Sequence, residues 1–236
     1  KFRRFSDHFT EQWLGLSAME TIAVNPKAHP DFSDELKENM GRETREFAYE
    51  VFRNDLSCRN FINSGFAMLN QNIADYYQID GVYGSHFRPV SLQPEQRRGG
   101  VLTQGSVLMA GSDGTDSNPI YRGVWLLKRL FAAPPPPPPP GITPHDSDKP
   151  ELATLTLKEQ IALHREEASC ARCHNKIDPW GVAFENYDAT GRWRTQMATP
   201  KGNPEPIDAS TQLPDGSPVA GMADLQTYLL ENQSAK

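Results

Sequence analysis

Long apolar runs are missing from this chain of 236 residues. With no stretch of about 18 apolar residues, no segment can cross a bilayer as a helix. Cysteine is scarce: Cys58, Cys170 and Cys173 are odd in number and too few for a disulfide framework. Hydrophobic residues make up 37% and aromatics 9%, with a mean hydropathy of -0.61, which leaves material for a modest core and many loops. Excess positive charge is also absent. The formal net charge of -6 argues against nucleic acid as a partner. The first residue is Lys1 rather than Met, and no signal peptide is visible, as expected after cleavage of a leader or for a piece of a longer chain. The last helical pattern runs to the terminus without an obvious stop, which adds to the expectation of a fragment.

What is present is organised mainly by helical periodicity. Residues 1–80 read as helical. Phe2, Phe5, Phe9, Trp13 and Leu16 fall near helical spacing and are expected to form a core stripe. Ser33 is a suitable N-cap, followed by Asp34 and Glu35 at the positive end of the helix dipole. Leu36, Met40, Phe47 and Val51 then mark the inward face of a helix to about Phe52. A third helix is predicted over residues 66–77, with Leu69, Ile73 and Tyr76 inward. Residues 81–118 are rich in Gly, Ser and Asn and read as loop, anchored by Val101, Leu102, Val107, Leu108 and Met109. Pro119 fits the first position of a helix whose apolar face is Ile120, Val124, Leu127 and Phe131.

Residues 134–140 are an unbroken proline run. Each ring restricts φ and removes an amide donor, so an extended polyproline II connector is expected, or secondarily a docking segment for an aromatic groove. Thr156-Leu157-Lys158-Glu159 has the form of a capping box, predicting a helix with Leu157, Ile161, His164 and Ala168 on one side, leading directly into the next two cysteines. Residues 175–221 read mostly as loop, and 224–231 as a short final helix with Leu225 and Leu229 inward. Cys58, beside Leu56 and Phe61, is expected to be a buried free thiol.

The chemistry lies in Cys170-Ala171-Arg172-Cys173-His174. Cys-X-X-Cys-His is the attachment signature of c-type haem. Two thiols three residues apart reach the two vinyl groups on one porphyrin edge, and the following imidazole is presented to the iron. The opposite ligand and its surroundings then set the potential. A redox dithiol would need a βαβ context, which is not evident. A zinc site would need four ligands; Cys170, Cys173, His174 and His164 supply that number without the usual paired spacing. One covalent haem c is therefore the expected cofactor, with Cys170 and Cys173 as attachment points and His174 as the proximal iron ligand. Trp180, Phe184, Tyr187 and Trp193 can wall the ring, while Asp178-Pro179 and Gly181 permit a turn away from it. Arg192 and Arg194 either meet the propionates or form ordinary pairs with Glu185 and Asp188. The acidic balance is compatible with steering toward a basic redox partner.

Around the motif stand His164-Arg165, Asn175-Lys176-Ile177-Asp178-Pro179-Trp180-Gly181, Phe184-Glu185-Asn186-Tyr187-Asp188 and Gly191-Arg192-Trp193-Arg194. With Gly99-Gly100-Val101-Leu102-Thr103-Gln104-Gly105-Ser106, Arg122-Gly123 and the proline run, this segment resembles the cytochrome c-like domain family of planctomycetes and related bacteria. Residues 1–95, including Trp13-Leu14-Gly15-Leu16, resemble the helical domain that usually precedes it, and those from about Ile207-Asp208 the domain that usually follows, here stopping early. The resemblance implies a secreted or periplasmic multidomain haem protein and names no reaction. It places a His at 164 and couples the stretch containing Met109 to the motif.

The sixth iron ligand is open. Met109 and His164 are the joint candidates, ahead of Met197, Met222, His145 and His86. The expected fold is mostly α with little β. A helical domain over 1–95 packs on a loop-rich c-type cytochrome-like domain over 96–200, followed by a partial domain over 201–236. Val107, Leu108 and the 119–131 helix are expected to help build the pocket. The expected function is electron transfer through one haem, as a module of a larger extracytoplasmic protein or complex. Its partners would be a redox protein or other domains of the same chain. A peroxidase-like haem enzyme with an open sixth position, and a structural or binding module, are the alternatives. No acid–base and arginine constellation for the former is evident.

Overall fold

Ser33 begins the longest helix as its side chain predicts: its Oγ accepts from the Leu36 amide at 3.1 Å. The structure, a computed structural model, describes residues 1–137, 155, 157–166, 168–197 and 204–232, the side chains of Leu157 and His164 excepted. Its elements in chain order are α1 (Phe2–Leu14), α2 (Ser17–Thr21), α3 (Asp34–Arg53), β1 (Phe66–Leu69), α4 (Gln71–Tyr76), β2 (Arg88–Ser91) and α5 (Gly105–Ala110). There follow α6 (Pro119–Arg129), α7 (Leu157–His164), α8 (Ala168–Val182), β3 (Gln196–Met197), β4 (Glu205–Pro206), β5 (Ser210–Gln212), β6 (Pro218–Ala220) and α9 (Met222–Asn232). The fold is mostly α with little β: the strands form three antiparallel pairs, β1 with β2, β3 with β4 and β5 with β6.

The described residues divide into two compact units. The first draws on Lys1–Asn118, Tyr187–Trp193 and Ala223–Lys236, the second on Pro119–Asn186 and Arg194–Met222. This grouping is discontinuous in sequence.

In the first unit, Leu36, Met40, Phe47 and Val51 are buried along α3, as their spacing requires. The core joins Leu36 and Met40 to Met19, Leu69, Ile73, Tyr76, Tyr77 and Met109. The aromatic stripe of α1 behaves differently from expectation. Phe2, Phe5 and Phe9 are 49%, 62% and 43% exposed, while Ser6, Thr10 and Leu14 are buried. The small side chains of Ser6 and Thr10, at i and i+4, let α1 approach α3 closely, and Arg3 clamps the pair through Glu46 at 2.7 Å. The rings rest on the rim of that contact, Phe2 against Tyr49 and Phe9 against Phe52. The predicted 66–77 helix is also corrected. Phe66 to Leu69 form a strand registered from Phe66 opposite Ser91 to Leu69 opposite Arg88. The helix starts only after Asn70, whose side chain accepts from the Ile73 amide at 3.0 Å. Leu69, Ile73 and Tyr76 are buried as predicted. Cys58 lies in a 3-10 turn, Cys58–Phe61, and is exposed rather than buried.

Polar groups also enter this core. The Tyr77 hydroxyl donates to Glu43 Oε2 at 2.8 Å and accepts from the Gly105 amide at 2.8 Å. The Thr44 and Ser106 hydroxyls meet at 2.6 Å. Arg98 lies over the Tyr77 ring and donates to the Gly191 carbonyl at 2.6 Å. In α9, Leu225 and Leu229 are buried as predicted, and Gln226 donates to the carbonyls of Ile62 and Gly99.

The second unit is centred on α6 against α8. Gly123 stands against the Ile177 carbonyl and Gly181 against that of Pro119, so the two helices run antiparallel. Pro119, Arg122, Gly123 and Leu126 form the buried face of α6. The sequence stripe Ile120, Val124, Leu127 and Phe131 is only half-buried. Close backbone approach at the two glycines sets the helix rotation, and it overrides the larger apolar stripe. Pro134 to Pro137 are in neither helix nor strand, and the rest of the proline run lies outside the described residues. So does Thr156, the cap predicted for α7.

Candidate functional site

Cys170, Cys173 and His174 all lie on α8, at i, i+3 and i+4. Helical geometry puts them on one face, and the next residues on that face are Ile177 and Gly181, which α6 covers. Leu126 is the next buried residue of α6 beyond Gly123. Both thiols are free of disulfides and half-buried. His174 is 19% exposed at its side chain.

The helix does not turn away at Asp178-Pro179 as the sequence led us to expect. It continues through Pro179 to Val182, with Ile177 to Val182 buried. Pro179 forgoes one backbone hydrogen bond, yet α6 holds this part of α8 on both sides of the proline. The continuation brings Asp178 one turn beyond His174. His174 Nδ1 donates to Asp178 Oδ1 at 3.0 Å, and Asp178 is fully buried. A carboxylate at Nδ1 fixes the tautomer and the ring orientation of the imidazole. The other oxygen, Asp178 Oδ2, lies 3.9 Å from Arg165 Nε. The His-to-Asp spacing of four was available in the sequence, but it carries meaning only if the helix runs on past the proline.

Trp180 and Phe184 are buried in the same unit. Trp180 packs on Phe131 with ring centroids 5.0 Å apart, and the Phe184 carbonyl accepts from Arg122 Nη1 at 3.1 Å. Arg194 is beside Glu185 at 3.5 Å. Met109, Val107, Leu108, Arg192 and Trp193 are parts of the other unit. Met109 is wholly buried in that unit's core. Arg192 pairs with Asp31 at 3.0 Å and covers the Tyr76 ring. Trp193 lies edge-on to Tyr187 and under Arg97. His164 ends α7, its side chain outside the described residues, as is His145. α7 and α8 are separate helices, so His164 is not on a helix that runs straight into the motif. Met197 is half-buried in β3, Met222 is buried at the start of α9, and His86 is exposed beside Arg88.

Two sulfurs and an imidazole spread along a helix face suit a ligand with an extended edge. Among the described residues, no group of three or more His, Cys, Asp or Glu could hold a metal ion by itself.

Residues 98–197 match the family model PSCyt3, a protein of unknown function (DUF1588), and residues 1–79 match PSD4, a protein of unknown function (DUF1592). No curated protein and no solved structure matches the chain. Over these two stretches the chain is similar to planctomycete-type cytochrome c-associated domains of unknown function.

Proposed function

We propose that the chain carries one c-type haem, bonded through Cys170 and Cys173 with His174 on the iron, and serves in electron transfer. It would do so as a module of a larger extracytoplasmic protein or complex, in a periplasmic or cell-surface setting, with a redox protein or other domains of the same polypeptide as partner. The observation that carries this reading is the alignment of both thiols and the imidazole on one face of α8, with Nδ1 of His174 held by a buried carboxylate. When bound, the haem supplies a one-electron couple. The residues of the chain do the rest. The cysteines would fix the ring's edge, and Asp178 would hold the ring orientation of His174. Trp180 and Phe184 are the aromatic candidates for excluding water. In the unit that holds the motif, His164 would be the candidate to supply a second iron ligand, and the ferric spectrum of His164→Ala tests it.

The test is intact-mass and pyridine haemochrome analysis of the full chain produced in a host that attaches haem c. One haem per chain is expected, and none in the variant lacking both Cys170 and Cys173. Unmodified thiols in the parent protein would sink the proposal. Cyanide binding to both oxidation states would instead favour the peroxidase-like alternative with an open iron face.

A further inference from the structure

We infer that Asp178 is a positioning residue that acts through His174 to hold the haem couple at low potential, with Arg165 as its electrostatic counterweight. This rests on the haem reading above. Three observations support it. Asp178 has no exposed surface. One of its oxygens accepts from His174 Nδ1 at 3.0 Å. The other is buried with no hydrogen bond among the described residues, and Arg165 Nε lies 3.9 Å from it.

A carboxylate needed only for folding would normally spend both oxygens on hydrogen bonds, because each unmet one costs free energy when buried. Asp178 instead spends one on the imidazole and leaves the second in contact range of a cation. An anionic acceptor at Nδ1 makes the ring a stronger electron donor than a neutral carbonyl would, and donor strength favours the more oxidised iron. Burial enhances the effect, because a fixed negative charge in a poorly polarisable environment stabilises added positive charge more than it does in water. Arg165 opposes it. Its guanidinium draws on the same carboxylate, and since its side chain is 29% exposed it is partly screened and only partly cancels the effect. Asp178 and Arg165 thereby act on the potential in opposite directions.

The experiment is a spectroelectrochemical titration of the haem-loaded full chain, after intact mass has shown one haem per protein in each variant. Asp178→Asn keeps the shape and removes the charge. It should raise the ferrous-to-ferric ratio at fixed ambient potential at least tenfold, a shift of about 59 mV for a one-electron couple. Asp178→Glu should restore part of the shift. Arg165→Gln should move the midpoint the other way, below that of the parent, a reversal that a purely structural role would not produce. Should Asp178→Asn fail to accumulate, Arg165→Gln decides alone: a lowered midpoint supports the inference and an unchanged one overturns it. Thiols without haem in the parent overturn the haem reading and this inference together. Haem attached in every variant with unchanged midpoints overturns this inference only.

Discussion

Gly181 on α8 meets the carbonyl of Pro119 on α6 with no room for a side-chain carbon, and Gly123 meets the Ile177 carbonyl in the same way. These two contacts fix the rotation of α6 against the helix that carries the cysteine motif. Replacing a helical glycine by alanine ordinarily gains about 1 kcal/mol. Here the new methyl group would strike backbone, and overpacking of this kind costs about 1–3 kcal/mol or more, so the net sign reverses. Gly181→Ala and Gly123→Ala should each lower the urea midpoint of the full chain. An unchanged or higher midpoint would mean that the helices are not in van der Waals contact at these points.

Arg122 and Glu185 form a second constraint in the same unit. Arg122 is buried, with Nη1 3.8 Å from Glu185 Oε1 and donating to the Phe184 carbonyl, and Arg194 stands at the carboxylate's other oxygen. Arg122→Ala would strip a buried carboxylate of a cation and leave a carbonyl without its donor, a loss of about 3–5 kcal/mol. The double variant Arg122→Met with Glu185→Gln should lose markedly less. Chemical denaturation of the single and double variants measures the difference, and equal losses would count against a coupled pair.

Glu43 links stability to pH. Burial pushes its carboxyl up from 4.5 to about 7, against the lowering effects of the Tyr77 hydrogen bond and the charge of Arg98. Below the unfolded value both states are protonated, and the buried carboxyl carries no charge penalty. As pH rises from about 4.5 to about 7 the unfolded chain ionises first, so the folded state loses ground; above that window the loss is complete. Its size is on the order of 3 kcal/mol. The stability difference between the parent and Glu43→Gln should therefore change across that window and be flat on either side. A pH-independent difference would show that Glu43 is not held protonated.

Cys58 offers a chemical readout. It is exposed, whereas Cys170 and Cys173 are the proposed attachment points. Alkylation of the native, haem-loaded chain should add one group, at Cys58, with the other two thiols consumed by thioether bonds. Three additions on a folded protein would contradict the assignment of Cys170 and Cys173 as attachment points.

Ser33 tests the largest helix of the first unit. Ser33→Ala removes the acceptor for the Leu36 amide and should cost about 1 kcal/mol, read as a lowered denaturation midpoint with an unchanged slope.

Several features were legible in the residues alone because they rest on local rules. Ser33 with Asp34 and Glu35 announced the start of α3, and the spacing of Leu36, Met40, Phe47 and Val51 announced its buried face. Leu225 and Leu229 did the same for α9. The spacing of Cys170, Cys173 and His174 is likewise visible in the sequence, and the helix puts all three on one face. Tertiary structure decided the rest. Phe66 to Leu69 became a strand because residues 88–91 lie beside them, and no property of the four residues encodes that partner. Ser6 and Thr10, rather than Phe5 and Phe9, faced inward because α3 rewards close approach over ring size. Asp178 gained its place at His174 only because α8 continues through Pro179 while α6 packs against both sides of it. Periodicity and capping are properties of a few adjacent residues. Which face is buried, which strand pairs and which carboxylate meets which imidazole depend on contacts between segments far apart in the chain, and these exist only once it has folded.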